Sequence, residues 1–164
     1  MAPVLDLLPP AGVRVLDIGA GTGVLADWLC DRGCAVTAVD PVPNLRASDK
    51  PRWIDDSLPD LDRVEGAFDA LLLSGLWHHL TPETREAAWL RLAELTEPGG
   101  AVLMSLRHGP GHPERPAFPI SEEAEIEAAA RAGLRLEHRR GAASIQAGNI
   151  AAGVTWTWLA LRRD

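Results

Sequence analysis

Val15-Leu16-Asp17-Ile18-Gly19-Ala20-Gly21-Thr22-Gly23 opens as an apolar, branched run with the composition of a buried strand. It then breaks into a turn with glycine at every second position, and a helix is expected from about Val24. Glycine leaves no side chain where a ligand would press against the backbone. The next apolar run, Ala35-Val36-Thr37-Ala38-Val39, ends in Asp40. A strand, a glycine turn, a helix and a second strand ending in a carboxylate make a βαβ unit with a nucleotide-type cofactor site at its tip.

The spacing of the glycines separates the cofactor classes. A dinucleotide site uses Gly-x-Gly-x-x-Gly, whose last glycine lets the helix pack closely on the strand beneath a pyrophosphate. Counted from Gly19, that last position is Val24, and the third glycine stands at Gly23 instead. A branched side chain there argues against an NAD(P)-binding oxidoreductase, which stays as an alternative. The nine-residue string with its Asp resembles the first motif of the class I S-adenosylmethionine-dependent methyltransferases.

Outward from this unit, strands and helices alternate. Strands are expected over 13–18, 35–40, 52–54, 68–74, 101–106, 134–140 and 154–161. The run at 68–74 is continuously apolar, as in a strand covered on both faces. Helices are expected over 24–32, from Thr81 onward and over 121–132, with a short one from Pro43 to about Ala47. Thr81 and Ser121 are natural N-caps, Pro82 suits the first helical position, and Glu122 and Glu123 complement the helix dipole. Pro98-Gly99-Gly100 is expected to end the second long helix. The last two strands have no convincing helix between them and read as an antiparallel edge hairpin with a long connection. The expectation is an α/β fold: a doubly wound, mainly parallel seven-stranded sheet with an antiparallel last strand. The methyltransferase resemblance implies the same Rossmann-like sheet over essentially the whole chain, as one domain, 1–164.

The resemblance also implies a site. Asp17 and the backbone of Gly19, Ala20 and Gly21 would face the ammonium and sulfonium of S-adenosylmethionine, with Gly23 completing the turn. Asp40 would accept both ribose hydroxyls, with Pro41 and Val42 beside the adenine. Asp55, Asp56 and Ser57 would meet the adenine amino group, Asp56 being preferred. Ser74 and Gly75, at the end of the fourth strand, would line the path from methyl group to acceptor. His78, His79 and Arg107 are the catalytic candidates: a histidine to take the acceptor's proton, an arginine to hold an acidic group. Each also has a plain structural reading. Asp17 could cap loop amides, Asp40 could hold a turn before Pro41, Asp55 and Asp56 could sit in a surface turn, and both histidines could be structural. Trp53, Trp156 and Trp158 read as core or subunit contact before they read as stacking platforms. S-adenosylhomocysteine would be the product.

Composition narrows the acceptor. With 16 Lys+Arg against 23 Asp+Glu the net charge is −7, a poor match to nucleic acid or an anionic membrane. Arg131, Arg135, Arg139 and Arg140 form the one basic cluster and read as a solvated face. The chain has no tyrosine and so no Asp/Asn-Pro-Pro-Tyr segment of the amine-directed nucleic-acid enzymes. No cysteine follows the fourth strand, as carbon-5 pyrimidine methylation would need. Glu83 and Glu86 read as helix surface, not as ligands of a catechol-type metal site, and no metal is expected. A small molecule is the expected acceptor. An inactive cofactor-binding partner module is the second alternative, alongside the oxidoreductase. Cys30 and Cys34 suggest buried thiols in a reducing compartment, and no secretory signal or membrane span is read, so a cytoplasmic location follows. About a dozen residues precede the first strand, and residues 3–8 have room for a turn or two. The site would then be open, lidded by another loop, or closed by a second subunit in a homodimer.

Overall fold

A computed structural model describes residues 6–111 and 115–164. Seven strands form one sheet in the order β3-β2-β1-β4-β5-β7-β6. The strands are β1 (Arg14–Ile18), β2 (Ala35–Val39), β3 (Arg52–Ile54), β4 (Phe68–Leu73), β5 (Thr96–His108), β6 (Leu134–Ala143) and β7 (Thr155–Arg163). The first five run parallel, and β7 is antiparallel to both β5 and β6. The expected reversal of the last strand is therefore present, with β6, not β7, at the sheet edge.

Alternation along the strands builds two cores. Leu16, Leu71, Leu73, Val102 and Met104 face α2 (Pro82–Leu95) and α3 (Glu122–Arg131), whose Trp89, Leu92 and Ala129 are fully or nearly fully buried. Val15, Ala70, Leu72, Leu103 and Ala160 point the other way, toward Ala26 and Leu29 of α1 (Val24–Asp31). β4 feeds both cores, which explains its unbroken apolar run. Trp77, fully buried, stacks at a tilt on Trp89 with ring centroids 4.7 Å apart. Two such aromatics each bury roughly 150–250 Å².

The helix starts follow the sequence. Thr81 Oγ1 accepts from the Thr84 amide at 3.3 Å with Pro82 at the first position, and Ser121 Oγ accepts from the Ala124 amide at 3.4 Å. The largest differences from expectation are the start of β5 and the β6–β7 connection, while β5, β6 and β7 also run two or three residues further than expected at their ends. β5 begins at Thr96, not 101: the Pro98-Gly99-Gly100 segment is extended and joins the sheet through an irregularity between the Phe68 and Ala70 pairings. Gly100 fits there because an added Cβ would lie 2.8 Å from the Glu97 carbonyl oxygen. The β6–β7 connection also carries a short helix, α4 (Ala147–Ala151), that no apolar periodicity announces. Of the N-terminal stretch 3–8, Asp6 and Leu7 form a 3-10 turn and residues 3–5 lie outside the described residues.

The basic cluster is neutralised in place. Arg131 pairs with Glu86, Arg135 with Glu137 and Asp164, Arg139 with Glu122 and Glu123, and Arg140 with Asp6 through two bonds of 2.7 and 3.0 Å. The last pair fastens the chain start to β6. Cys30 and Cys34 are free thiols, Cys34 buried. Among the described residues, no helix is long and apolar enough to cross a membrane. No group of three or more His, Cys, Asp or Glu there could hold a metal ion.

Candidate active site

The carboxyl ends of β1, β2 and β4 meet at the glycine turn. Asp17 is the penultimate residue of β1, in register with Ala38 and Leu72. It is 2% exposed, and its Oδ2 has no hydrogen-bond partner. Burial, reinforced by the charge of Asp40, pushes its pKa from 3.8 up to about 7. The amides of Gly19 and Ala20 both donate to the Val39 carbonyl, at 2.8 and 3.0 Å, and that of Gly23 to the Ala20 carbonyl at 2.9 Å. The Gly21 amide donates to Asp40 Oδ2 at 2.8 Å, and the Val42 amide to Asp40 Oδ1 at 2.9 Å. These loop amides are spent on the protein, which is unlike a diphosphate cradle, where they point at the ligand. The unmet group is an anion, so the complement it needs is a cation.

The glycines differ in their reasons. All three have left-handed backbones. A Cβ on Gly23 would meet the Trp53 ring at 2.8 Å, and one on Gly19 would meet Leu76 at 3.0 Å, whereas Gly21 faces open space. Gly21 is thus the position free for a ligand. Trp53 is packing, as expected: its indole N–H donates to the Ser48 carbonyl at 2.8 Å and the Arg46 guanidinium lies over its ring.

Asp40 is buried, with one amide on each oxygen, so each oxygen keeps a second acceptor position for a hydroxyl. Pro41 and Val42 are exposed beside it. Asp55 pairs with Arg46. Asp56 accepts from the Ser57 amide at 2.8 Å and the Arg63 amide at 2.7 Å, so the preferred adenine acceptor also holds its own turn. On the ribose role that the resemblance implies for it, Asp40→Ala is expected to weaken cofactor binding by about 1–3 kcal/mol, because its acceptors for two loop amides go at the same time. Calorimetry with S-adenosylhomocysteine checks this, and unchanged affinity would contradict the ribose assignment.

Across β4 the surface continues into a cavity of about 580 Å³. Ser74 and Gly75 form its near edge, and the Gly75 amide donates to Ser105 Oγ at 2.8 Å. Both histidines reach it but differ. His78 is buried with Nδ1 unpartnered, and burial, then the charges of His79, Arg107, Arg115 and Arg85, lower its pKa to about 3. His79 is half-buried and its Nδ1 lies 2.8 Å from the Pro116 carbonyl. A carbonyl only accepts, so Nδ1 carries the proton and Nε2 the lone pair of the neutral ring. Arg107 lines the cavity, but its guanidinium donates to the carbonyls of Gly109 and Pro110 and to Asn149 Oδ1 at 3.4 Å. Its observed partners are the loop and α4. His112, Pro113 and Glu114 of the expected functional loop lie outside the described residues.

Sequence reading passed over several wall residues. Ser105 is buried and opposite Trp158 in the β5–β7 register, with Arg107 opposite Trp156. Trp156 and Trp158 both line the cavity, and Trp158 is also part of the core, as its sequence reading expects. Period-2 alternation through 103, 105 and 107 carried the signal, but only the pairing with β7 shows which wall it builds.

The profile of the methyltransferase domain family matches residues 15–100. The chain belongs to this family. Its β-strand order and glycine turn are those of the class I S-adenosylmethionine-dependent methyltransferases, as the first motif implied. An uncharacterized methyltransferase of Mycobacterium tuberculosis is 38% identical to this methyltransferase domain over 102 residues, 58% of this chain and 40% of that one. A second from the same organism is 35% identical over 123 residues, 66% and 61%. The chain therefore spans less than two thirds of the length of these relatives. Among solved structures, the 1,6-didemethyltoxoflavin-N1-methyltransferase of Burkholderia thailandensis superposes with a TM-score of 0.77 at 24% identity, covering 99% of this chain and 75% of that one. That likeness establishes the shared fold.

Proposed function

We propose that this domain, 1–164, transfers a methyl group from S-adenosylmethionine to a small molecule. The observation that carries the reading is Asp17: a buried carboxylate with an unpartnered oxygen at the floor of a glycine turn. A ligand with an ammonium and a sulfonium relieves the cost of burying that charge, and a diphosphate raises it. The residues present fit the cofactor: Asp17 for its cationic groups, Gly21 for close approach and Asp40 for its ribose. When bound, it supplies an electrophilic methyl carbon on a sulfur that departs as a neutral thioether.

The chain's own part is positioning and proton removal. Ser74 and Gly75 border the cavity, and the next residue, Leu76, packs on Gly19 of the cofactor turn. His79 takes the acceptor's proton on Nε2, held in that tautomer by Pro116. His78, neutral above about pH 3, packs the turn and meets Trp156 edge-on at 5.7 Å. Arg107 supports the loop. The Burkholderia structure contains S-adenosylhomocysteine and 1,6-didemethyltoxoflavin, which favours a small acceptor here too. Net charge and free thiols suit a cytoplasmic domain acting on neither nucleic acid nor membrane, alone or as a homodimer.

Calorimetric titration with S-adenosylmethionine, S-adenosylhomocysteine and NAD tests the reading. Heat from the first two is expected, and heat from NAD alone would overturn it. His79→Ala is expected to lower turnover on a small-molecule panel about 10²–10⁴-fold while cofactor affinity stays constant. Wild-type turnover in that variant would remove His79 as the base.

A further inference from the structure

The cavity beyond Ser74 and Gly75 has a composition at odds with the chain as a whole. The protein carries a net charge of −7, yet no described residue lining this cavity is a carboxylate, and two are arginines, Arg107 and Arg115. Arg107 is committed to carbonyls and Asn149. The Arg115 guanidinium makes no hydrogen bond or ion pair with any described residue. Its charge nevertheless reaches the site, since it is among the groups that, after burial, hold down the pKa of His78.

The opposite wall is aromatic and fixed. Trp156 donates its indole N–H to Ser144 Oγ at 2.9 Å, and the Ser144 hydroxyl donates in turn to the Val154 carbonyl at 2.7 Å. The ring is thus anchored at its polar end and braced by His78. A preset indole face binds a flat ring with little loss of side-chain freedom. The volume, about 580 Å³, is that of a site for a small organic ligand.

Resting on the methyl-transfer reading, we propose that the acceptor is a planar aromatic ring bearing a negatively charged substituent and an acidic hydroxyl or ring N–H. The ring lies on Trp156, the anion turns toward Arg115, and the acidic group points to His79. The step balances without a further reactant. His79 Nε2 takes the proton, the acceptor's lone pair forms the bond to the methyl carbon, and the carbon–sulfur pair stays on sulfur. Among the described lining residues, an acceptor with a cationic side chain meets two guanidiniums and no carboxylate, which disfavours it.

Three probes separate ring, charge and sign: 4-hydroxybenzoate, cyclohexanecarboxylate (an anion without a flat ring) and tyramine (the ring with a cation). Each is titrated by calorimetry into the protein saturated with S-adenosylhomocysteine. We expect 4-hydroxybenzoate to bind at least tenfold tighter than the other two. Trp156→Leu and Arg115→Ala should each weaken it at least tenfold while S-adenosylhomocysteine affinity stays within twofold, which also reports that the variants are folded. Tyramine binding as tightly as 4-hydroxybenzoate, no binding of any probe, or unchanged affinity in both variants would overturn the proposal and leave the methyl-transfer reading intact. If wild type fails to bind S-adenosylhomocysteine, it is the methyl-transfer reading that falls. The same ranking, measured on the unloaded protein, then decides the acceptor class by itself.

Discussion

Asp17→Asn is expected to make the free protein more stable at pH 8 while weakening its hold on the cofactor. The unfolded carboxyl titrates near 3.8 and the folded one near 7. Below about pH 4 both states are protonated and burial costs little. As pH rises from about 4 to about 7 the unfolded chain ionises and the folded one resists, so stability falls. Above 7 the full penalty of a buried charge is present, on the order of 4 kcal/mol. Asparagine removes that penalty. Chemical denaturation should show the variant more stable at pH 8, with the gap closing toward pH 4. A variant less stable at pH 8, or a gap independent of pH, would refute the buried-charge account.

The same linkage governs the cofactor. A cation bound at Asp17 favours the ionised form, so affinity should rise about tenfold per pH unit up to about pH 7 and then level. Proton release should be measurable in buffers of different ionisation enthalpy. Asp17→Asn should flatten that profile and lose about 1.5–3 kcal/mol of affinity at pH 8, the worth of a hydrogen bond to a charged group.

Arg85→Ala is expected to be the most destabilising single change, by about 3–5 kcal/mol. Arg85 is 4% exposed, and its nitrogens reach the carbonyls of Trp77, Phe118 and Pro119 and the Glu125 carboxylate, at 2.9–3.3 Å. Glu125, also buried, has Trp89 as its other partner, at 3.0 Å. Removing the guanidinium leaves a buried carboxylate with one neutral donor and unties the segment after β5 from the histidine turn. The Phe118 amide on the His78 carbonyl and the His79 ring on the Pro116 carbonyl, both at 2.8 Å, are then left to hold it there. Adding Glu125→Gln should restore part of the loss, because the uncompensated charge is gone. A wild-type denaturation midpoint for Arg85→Ala, or a double variant as unstable as the sum of the single ones, would show that the network carries little.

How legible each part was depends on whether its cause is local. The glycine turn, the strand ending at Asp40 and the caps at Thr81 and Ser121 are set by neighbours within a few residues, and all appear where the sequence places them. The start of β5 depends on Gly100 fitting between distant backbones, and α4 lacks an apolar face to announce it. Arg85 looks like any arginine on a solvated helix, since its partners lie 33–40 residues further along the chain apart from the Trp77 carbonyl. Trp158 lies in the core as expected, but the cavity beside Trp156 was not legible, because one strand shows which residues share a face, not whether that face meets the core or a hollow.

The link between β6 and β7 holds Ile145, 84% exposed, and Ile150, 59% exposed, together with Gln146 and Asn149 of the cavity wall. The glycine turn and the residues seen to hold it, Val39, Asp40, Trp53 and Leu76, all precede residue 80. On the proposed reading, replacing the eleven-residue link (144–154) is expected to change which acceptors are taken while S-adenosylhomocysteine affinity, measured by calorimetry, stays the same. On that reading, acceptor choice and donor binding sit on separate stretches of chain and can change independently.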